Sequence, residues 1–247
     1  MTLSSLEMTG NPASSGAPEL PALPPWTLSE ALRFFLLAYL AAPLTAEAVL
    51  ALAWPASPPW VGFFAQHATP ALVWLLCFAY LARREGRQAL IRQLGLRDGS
   101  LTRGSLLRFT ALAAGGVLAI VAAINGLSFW ASGESLANPY EDFSRPAVEA
   151  TILAGLLLAP LLEELTFRGF LQPAIARHAS TGAAITLSAV VFALSHTLYA
   201  DAPFAWMSAL ALGLWFGWLR ARTGSIWPGV AGHLLNNALA AASLLGV

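Results

Sequence analysis

VEATILAGLLLAPLLEELTFRGFLQPAIARH, residues 148–178, decides how the rest of the chain is read. It opens as an apolar run fit to cross a bilayer, for which a helix needs about 20 mostly apolar residues at roughly 1.5 Å each. It then places Glu163, Glu164 and Arg168 inside that run. An ionisable group within a span costs at least a few kcal/mol, so each one needs a partner or a task. Glu164 and Arg168 are four apart and share a helical face, with the acid first, the stronger order for such a pair. Glu163 is turned about 100° from Glu164 and is predicted to point elsewhere, without a counter-ion in its own helix.

The whole chain is of the same kind. Its 247 residues are 57% hydrophobic and 11% charged, with a mean hydropathy of +0.65. Soluble domains carry about a quarter charged residues, so too little polar surface is left here to coat a globule in water. The predicted fold class is all-α, a polytopic transmembrane helical bundle of about seven spanning helices, with roughly six to eight accommodated by the pattern. The candidate spans are 29–53, 60–82, 106–131, 148–178, 182–200, 203–220 and 226–246. Gln66, His67 and Pro70 interrupt the second, and Glu30, Arg33 and Glu47 fall in or beside the first.

Residues 1–27 hold five prolines among small and polar residues and have no basic start, which reads as a disordered tail and not a signal peptide. Residues 28–147 read as N-terminal transmembrane helices and 148–247 as the core that carries the polar groups. The first hundred or so residues are expected to contribute orientation and little else. Seven arginines between Arg83 and Arg108, against Glu85 and Asp98, place the 83–108 loop in the cytoplasm. Counting spans then sets Arg177, Arg220 and Arg222 inside, and Glu134, Glu141, Asp142 and Asp201 outside. The N-terminus is cytoplasmic on this count and the C-terminus external. All thirteen basic residues are arginines, a GC-rich, bacterial composition, which implies a multi-pass protein of a bacterial inner membrane. Zero net charge argues against a nucleic-acid partner. The single Cys77 rules out an internal disulfide and a multi-cysteine metal cluster. No long repeat and no matched pair of broken helices is present, which weighs against a transporter. Gly213 and Gly217 read as a close helix contact.

Two further segments carry polar groups in apolar surroundings: His196 in VVFALSHTLY, and His233, Asn236 and Asn237 in GHLLNNAL. His233 and Asn237 are four apart and share a face, while Asn236 points away from it. Depth relates these groups to Glu163. Glu163 stands eighteen residues before the turn at Thr181 and His196 fourteen after Gly182, about 27 and 21 Å from a shared turn. Asn237 stands thirteen residues beyond the turn at Gly224, about 20 Å, with His233 one turn lower. Four unusual polar residues from three helices are thus predicted to meet at one level of the membrane.

Two imidazoles, a carboxylate and an amide held in an apolar bundle suit water activation and oxyanion stabilisation. The same Glu163, His196 and His233 could instead serve as zinc ligands with an open fourth position, although no HExxH is present. Ser195 adjoins His196, but neighbouring helical residues diverge by about 100° and no GxSxG exists, so a serine nucleophile is set aside. A non-catalytic immunity or scaffold protein, keeping the cluster for packing, is the reading outside enzymology.

At these residues the sequence resembles the CAAX-protease and bacteriocin-processing family of intramembrane proteases. APLLEELTFRGFLQPAIAR is similar to its EExxxR motif, through Glu163, Glu164 and Arg168. FALSH is similar to FxxxH, through Phe192 and His196, and SIWPGVAGHLLNN to HxxxN, through His233 and Asn237. QLGLR at 93–97 is similar to a segment found ahead of the core in bacterial members. The resemblance makes 148–247 an intramembrane protease core. It implies that Glu163 and His196 activate water, that His233 and Asn237 form an oxyanion hole, and that Glu164 with Arg168 orients the site or engages substrate. It implies a cavity open toward the cytoplasm and a membrane-embedded or membrane-anchored peptide or protein substrate, without requiring a prenyl group. A metal-free mechanism with no cofactor is preferred, with Zn²⁺ as the alternative.

The orientation has a direct check. In a Cys77→Ala background, an impermeant maleimide should label Ser135→Cys in intact cells and Ser100→Cys only after permeabilisation; the opposite pattern reverses the topology.

Overall fold

The computed structural model describes residues 24–97, 101–133, 156, 158–197 and 203–245. Among them the chain forms eight helices and no strand. These are α1 Leu28–Ala53, α2 Pro59–Glu85, α3 Arg87–Gln93, α4 Arg103–Ser132, α5 at 158–176, α6 Thr181–Thr197, α7 Pro203–Thr223 and α8 Trp227–Leu245. The all-helical expectation holds, and a helix occupies each of the seven segments expected to be apolar spans. Two of them, α1 and α4, are long and apolar enough to cross a membrane by length and composition.

Local chemistry sets the helix ends. Thr27 caps α1 with a reciprocal pair of bonds: Glu30 N–H donates to Thr27 Oγ1 at 3.2 Å, and Thr27 N–H donates to Glu30 Oε2 at 2.7 Å. Thr102 caps α4 by accepting from Ser105 N–H at 3.1 Å. The polar break expected near Gln66, His67 and Pro70 does not end α2, which runs on through Pro70. Proline inside a helix is tolerated where the surrounding packing holds the backbone. Two helices contain π-helical turns, Leu37–Ala41 in α1 and Glu164–Leu171 in α5. Such widened turns recur at functional sites.

The core lies in two parts. One is aromatic and gathers Trp26, Trp74, Phe167, Phe170 and Phe192 from the start of the chain, α2, α5 and α6. The other joins Ala113 and Val117 of α4 to Leu212, Phe216 and Leu219 of α7. The close helix contact expected at Gly213 and Gly217 is present. A Cβ on either would stand 3.0 Å from α6, against Ala189 and Ile185. The outward faces of α1, α2 and α4 expose large apolar side chains, among them Leu52, Leu75, Leu107 and Trp130, which is 83% exposed. A surface of this kind is suited to lipid and is a liability in water.

The QLGLR loop, 93–97, is packed against the core helices, which corrects the expectation that the early chain supplies only orientation. Gly95 has a left-handed backbone, φ +74°, and its carbonyl accepts from Ile226 N–H at 3.0 Å. A Cβ there would lie 2.8 Å from both Arg220 Cζ and the Gly224 carbonyl. Trp227 Nε1 donates to Leu96 O at 2.9 Å beside it. Gly95→Ala should therefore lower stability by at least about 1–2 kcal/mol from the backbone alone, read as a fall in Tm in detergent. Gly62→Ala, with open space around it, should leave Tm unchanged or slightly raised.

Candidate active site

α5 carries the charged groups, and its sequence explains their unusual setting. From Glu164 to Leu171 the helix is π-wound, closed at its end by Gln172 N–H on the Phe167 carbonyl. The next residue, Pro173, has no N–H to give. Side chains and other helices therefore take over part of the backbone bonding. Ser188 Oγ of α6 donates to Phe167 O at 2.9 Å, and Arg220 Nε of α7 donates to Arg168 O at 3.2 Å.

Glu164 and Arg168 form the expected ion pair, 2.9 Å apart and shut off from solvent. A buried pair is tolerable only when its remaining valences are met. The Arg168 guanidinium lies 4.4 Å from the centre of the Phe192 ring and 5.5 Å from that of Phe216, and it donates to Gly213 O at 3.2 Å. Gly229 of α8 lets that helix approach, since a Cβ there would stand 2.5 Å from Glu164 Oε2.

Glu163 does not point away from this group, contrary to the single-helix geometry. Its Oε2 lies 3.7 Å from His196 Nε2 and 3.6 Å from His233 Nε2, while His233 Nδ1 lies 3.5 Å from Glu164 Oε1. The His233 ring therefore stands between the two carboxylates, one facing each nitrogen. The ring offers a nitrogen on each of two sides, and the π winding begins at Glu164, beside the residue that faces the far nitrogen. His233 is fixed by Phe216, stacked at 5.5 Å, and by Phe192, edge-on at 5.9 Å.

His196 is the most open member, with 40% of its side chain exposed, against 17% for Glu163 and 6% for His233. Its Nδ1 lies 2.8 Å from the Phe192 carbonyl. A carbonyl can only accept, so Nδ1 carries a proton in this contact, and Nε2 is the nitrogen that faces Glu163. Phe192 rests on the same ring at 4.5 Å, so it touches both histidines and the arginine. Ser195 Oγ donates to Phe192 O at 2.7 Å, a bond inside its own helix.

Asn237 lies one turn beyond His233 on α8, and its Oδ1 accepts from Asn236 Nδ2 at 3.2 Å. Asn236, set aside on the sequence, is thus in contact with it. Phe216 and Gly229 are the site neighbours that sequence reading did not single out. An aromatic in an apolar helix and a glycine in the first turn of another carry no mark of their own.

A model of the family described as type II CAAX prenyl endopeptidase, Rce1-like, matches residues 146–239, the span that contains all three motifs. Over this span, which is under half of the chain, the C-terminal core is similar to that family. No curated protein and no solved structure matches the chain. The match supports, in general terms, a CAAX protease-type peptidase set in a membrane.

The Rce1-like core has the donor types of an open zinc site, two imidazoles and a carboxylate. Yet among the described residues no three His, Cys, Asp or Glu side chains are arranged to hold a metal ion. Glu164 is taken up by Arg168 and His233, and Cys77 is buried in the aromatic core.

Glu164 Oε1 and Arg168 Nη1 meet each other in the 2.9 Å pair, while Glu163 Oε2 and His233 Nδ1 face their partners at 3.5–3.7 Å. Charged and polar atoms of four residues are thus concentrated at one buried place. Glu164→Leu should strip Arg168 of its counter-ion and cost about 3–5 kcal/mol, whereas Glu164→Leu with Arg168→Met should recover most of that loss. Thermal unfolding of the single and double variants in detergent measures both.

Proposed function

We propose that the chain is an intramembrane endopeptidase that hydrolyses a peptide bond of a membrane-embedded or membrane-anchored protein or peptide. The observation that carries the reading is the placement of Glu163 Oε2 between Nε2 of His196 and Nε2 of His233. Separations of 3.6–3.7 Å exceed a direct hydrogen bond, and a water beside Glu163 Oε2 is within reach of either ring. Glu163 takes one proton of the water, whose other O–H donates to Nε2 of a neutral His196 and so is held in line. The hydroxide adds to the carbonyl carbon of the scissile bond. His233 and Asn237 donate to the oxygen as it gains charge, where one such donor is worth about 3–4 kcal/mol. The proton on Glu163 then passes to the leaving amine as the C–N bond breaks, which returns the carboxylate.

Glu164 and Arg168 hold the frame, Glu164 against His233 Nδ1 and Arg168 under Phe192. A metal-free mechanism is preferred, with Zn²⁺ held by Glu163, His196 and His233 as the alternative, and no prenyl group is required of the substrate. The protein is read as multi-pass in a bacterial inner membrane, N-terminus inside. A non-catalytic scaffold role is the alternative, disfavoured because Glu163 faces two imidazoles in place of a counter-ion.

Purified protein in detergent or liposomes should cleave a membrane peptide. Glu163→Ala and His196→Ala should each lower kcat by at least about 100-fold with Tm little changed. Undiminished cleavage by either variant would overturn the reading. Chelators should leave activity intact; stoichiometric zinc, with activity lost on its removal and restored on its return, would replace the metal-free mechanism.

A further inference from the structure

The π-to-α junction of α5 is short of backbone donors. Gln172 N–H closes the last wide turn on Phe167 O, and Pro173 supplies none. Two carbonyls just after Phe167 accept from side chains remote in sequence. Arg168 O takes Arg220 Nε at 3.2 Å, and Phe170 O takes Trp26 Nε1 at 2.9 Å across 144 residues.

Trp26 is wholly buried, the largest side chain so placed, and it stacks on the Phe170 ring at 4.6 Å. Its backbone is tied down from both sides. Arg177, just past the end of α5, donates to the carbonyls of Pro24 and Trp26; Arg84 at the end of α2 donates to Pro25 O at 3.4 Å and pairs with Glu30. A donor to the wide turn thus comes from a segment that lies before α1.

The geometry points to Trp26 as a positioning residue: by donating to Phe170 O it fixes the register of the π turn that sets Glu163 and Glu164 on either side of His233. The helix has two ways to wind here, i→i+5 as found or i→i+4 throughout. Rewinding would rotate Glu163 and Glu164 relative to Arg168, Phe167 and Phe170, which are held by α6, α7 and the aromatic core. An indole N–H on the junction favours the wide form. The inference rests on the peptidase reading only for its kinetic readout.

Trp26→Phe keeps the ring against Phe170 and deletes the N–H; Arg177→Ala loosens the Pro24–Trp26 backbone and leaves the indole in place. Trp215→Phe is the control, because it removes an equivalent indole bond, to Ala113 O at 3.3 Å, away from α5. Amide hydrogen exchange over 164–176 should quicken by about tenfold in Trp26→Phe, less in Arg177→Ala, and stay at the wild-type rate in Trp215→Phe. In the cleavage assay Trp26→Phe should lower kcat about fivefold, with KM within about twofold of wild type. A purely structural role would lower Tm without touching either quantity. Wild-type exchange over 164–176 in Trp26→Phe, or equal quickening in Trp215→Phe, would overturn the inference. If the wild-type protein cleaves nothing, the peptidase reading falls and the exchange rates alone decide the role of Trp26.

Discussion

A carboxylate and a guanidinium sealed away from solvent, Glu164 and Arg168, set the terms for the rest of the molecule. Neither can be left alone in an apolar bundle, so the surroundings are shaped to keep them together. Phe192 and Phe216 lie against the guanidinium, Gly213 offers a carbonyl, and Gly229 yields the volume its side chain would have filled. These neighbours come from α6, α7 and α8. Satisfying one ion pair therefore draws three helices onto α5, and two of them, α6 and α8, bring the histidines. Packing and placement of the polar site are one event.

The fold was legible because hydrophobicity over a whole helix is an additive signal. Seven apolar stretches stand out against so few charges, and each is helical in its described part. The convergence of Glu163, His196 and His233 was legible for a related reason: in a hairpin of straight helices, distance from the turn is depth. Direction around the helix was not. Glu163 was expected to diverge from Glu164 because an α-helical step was assumed, and nothing in LLEELTFRGFLQP announces that the winding widens there except, in hindsight, Pro173.

Residues 24–27, the described end of the expected tail, order for another physical reason, while residues 1–23 lie outside the described residues. Composition describes what a segment would do alone, and a Pro-rich stretch alone gains little by ordering. Trp26 and the Gln93–Leu96 backbone order because partners far along the sequence await them: Phe170 O for the indole, Arg220 and Trp227 for the loop. Pairings across 127–144 residues leave no local trace. The three motifs sit within 146–239, so they guide attention to the core and away from the segments that brace it.

Thr166 shows what that bracing entails. Its single hydroxyl donates to Leu162 O at 2.7 Å, accepts from Trp74 Nε1 at 2.6 Å and meets Tyr39 OH at 3.1 Å. One oxygen thus serves α5, α2 and the π turn of α1. It occupies a wildcard position of EExxxR, between the second glutamate and the arginine, where the motif itself asks for nothing. In this chain the position is not free. A core transplanted onto other N-terminal helices would arrive with an oxygen whose partners are gone, so the two halves of this protein are interchangeable only as a matched set.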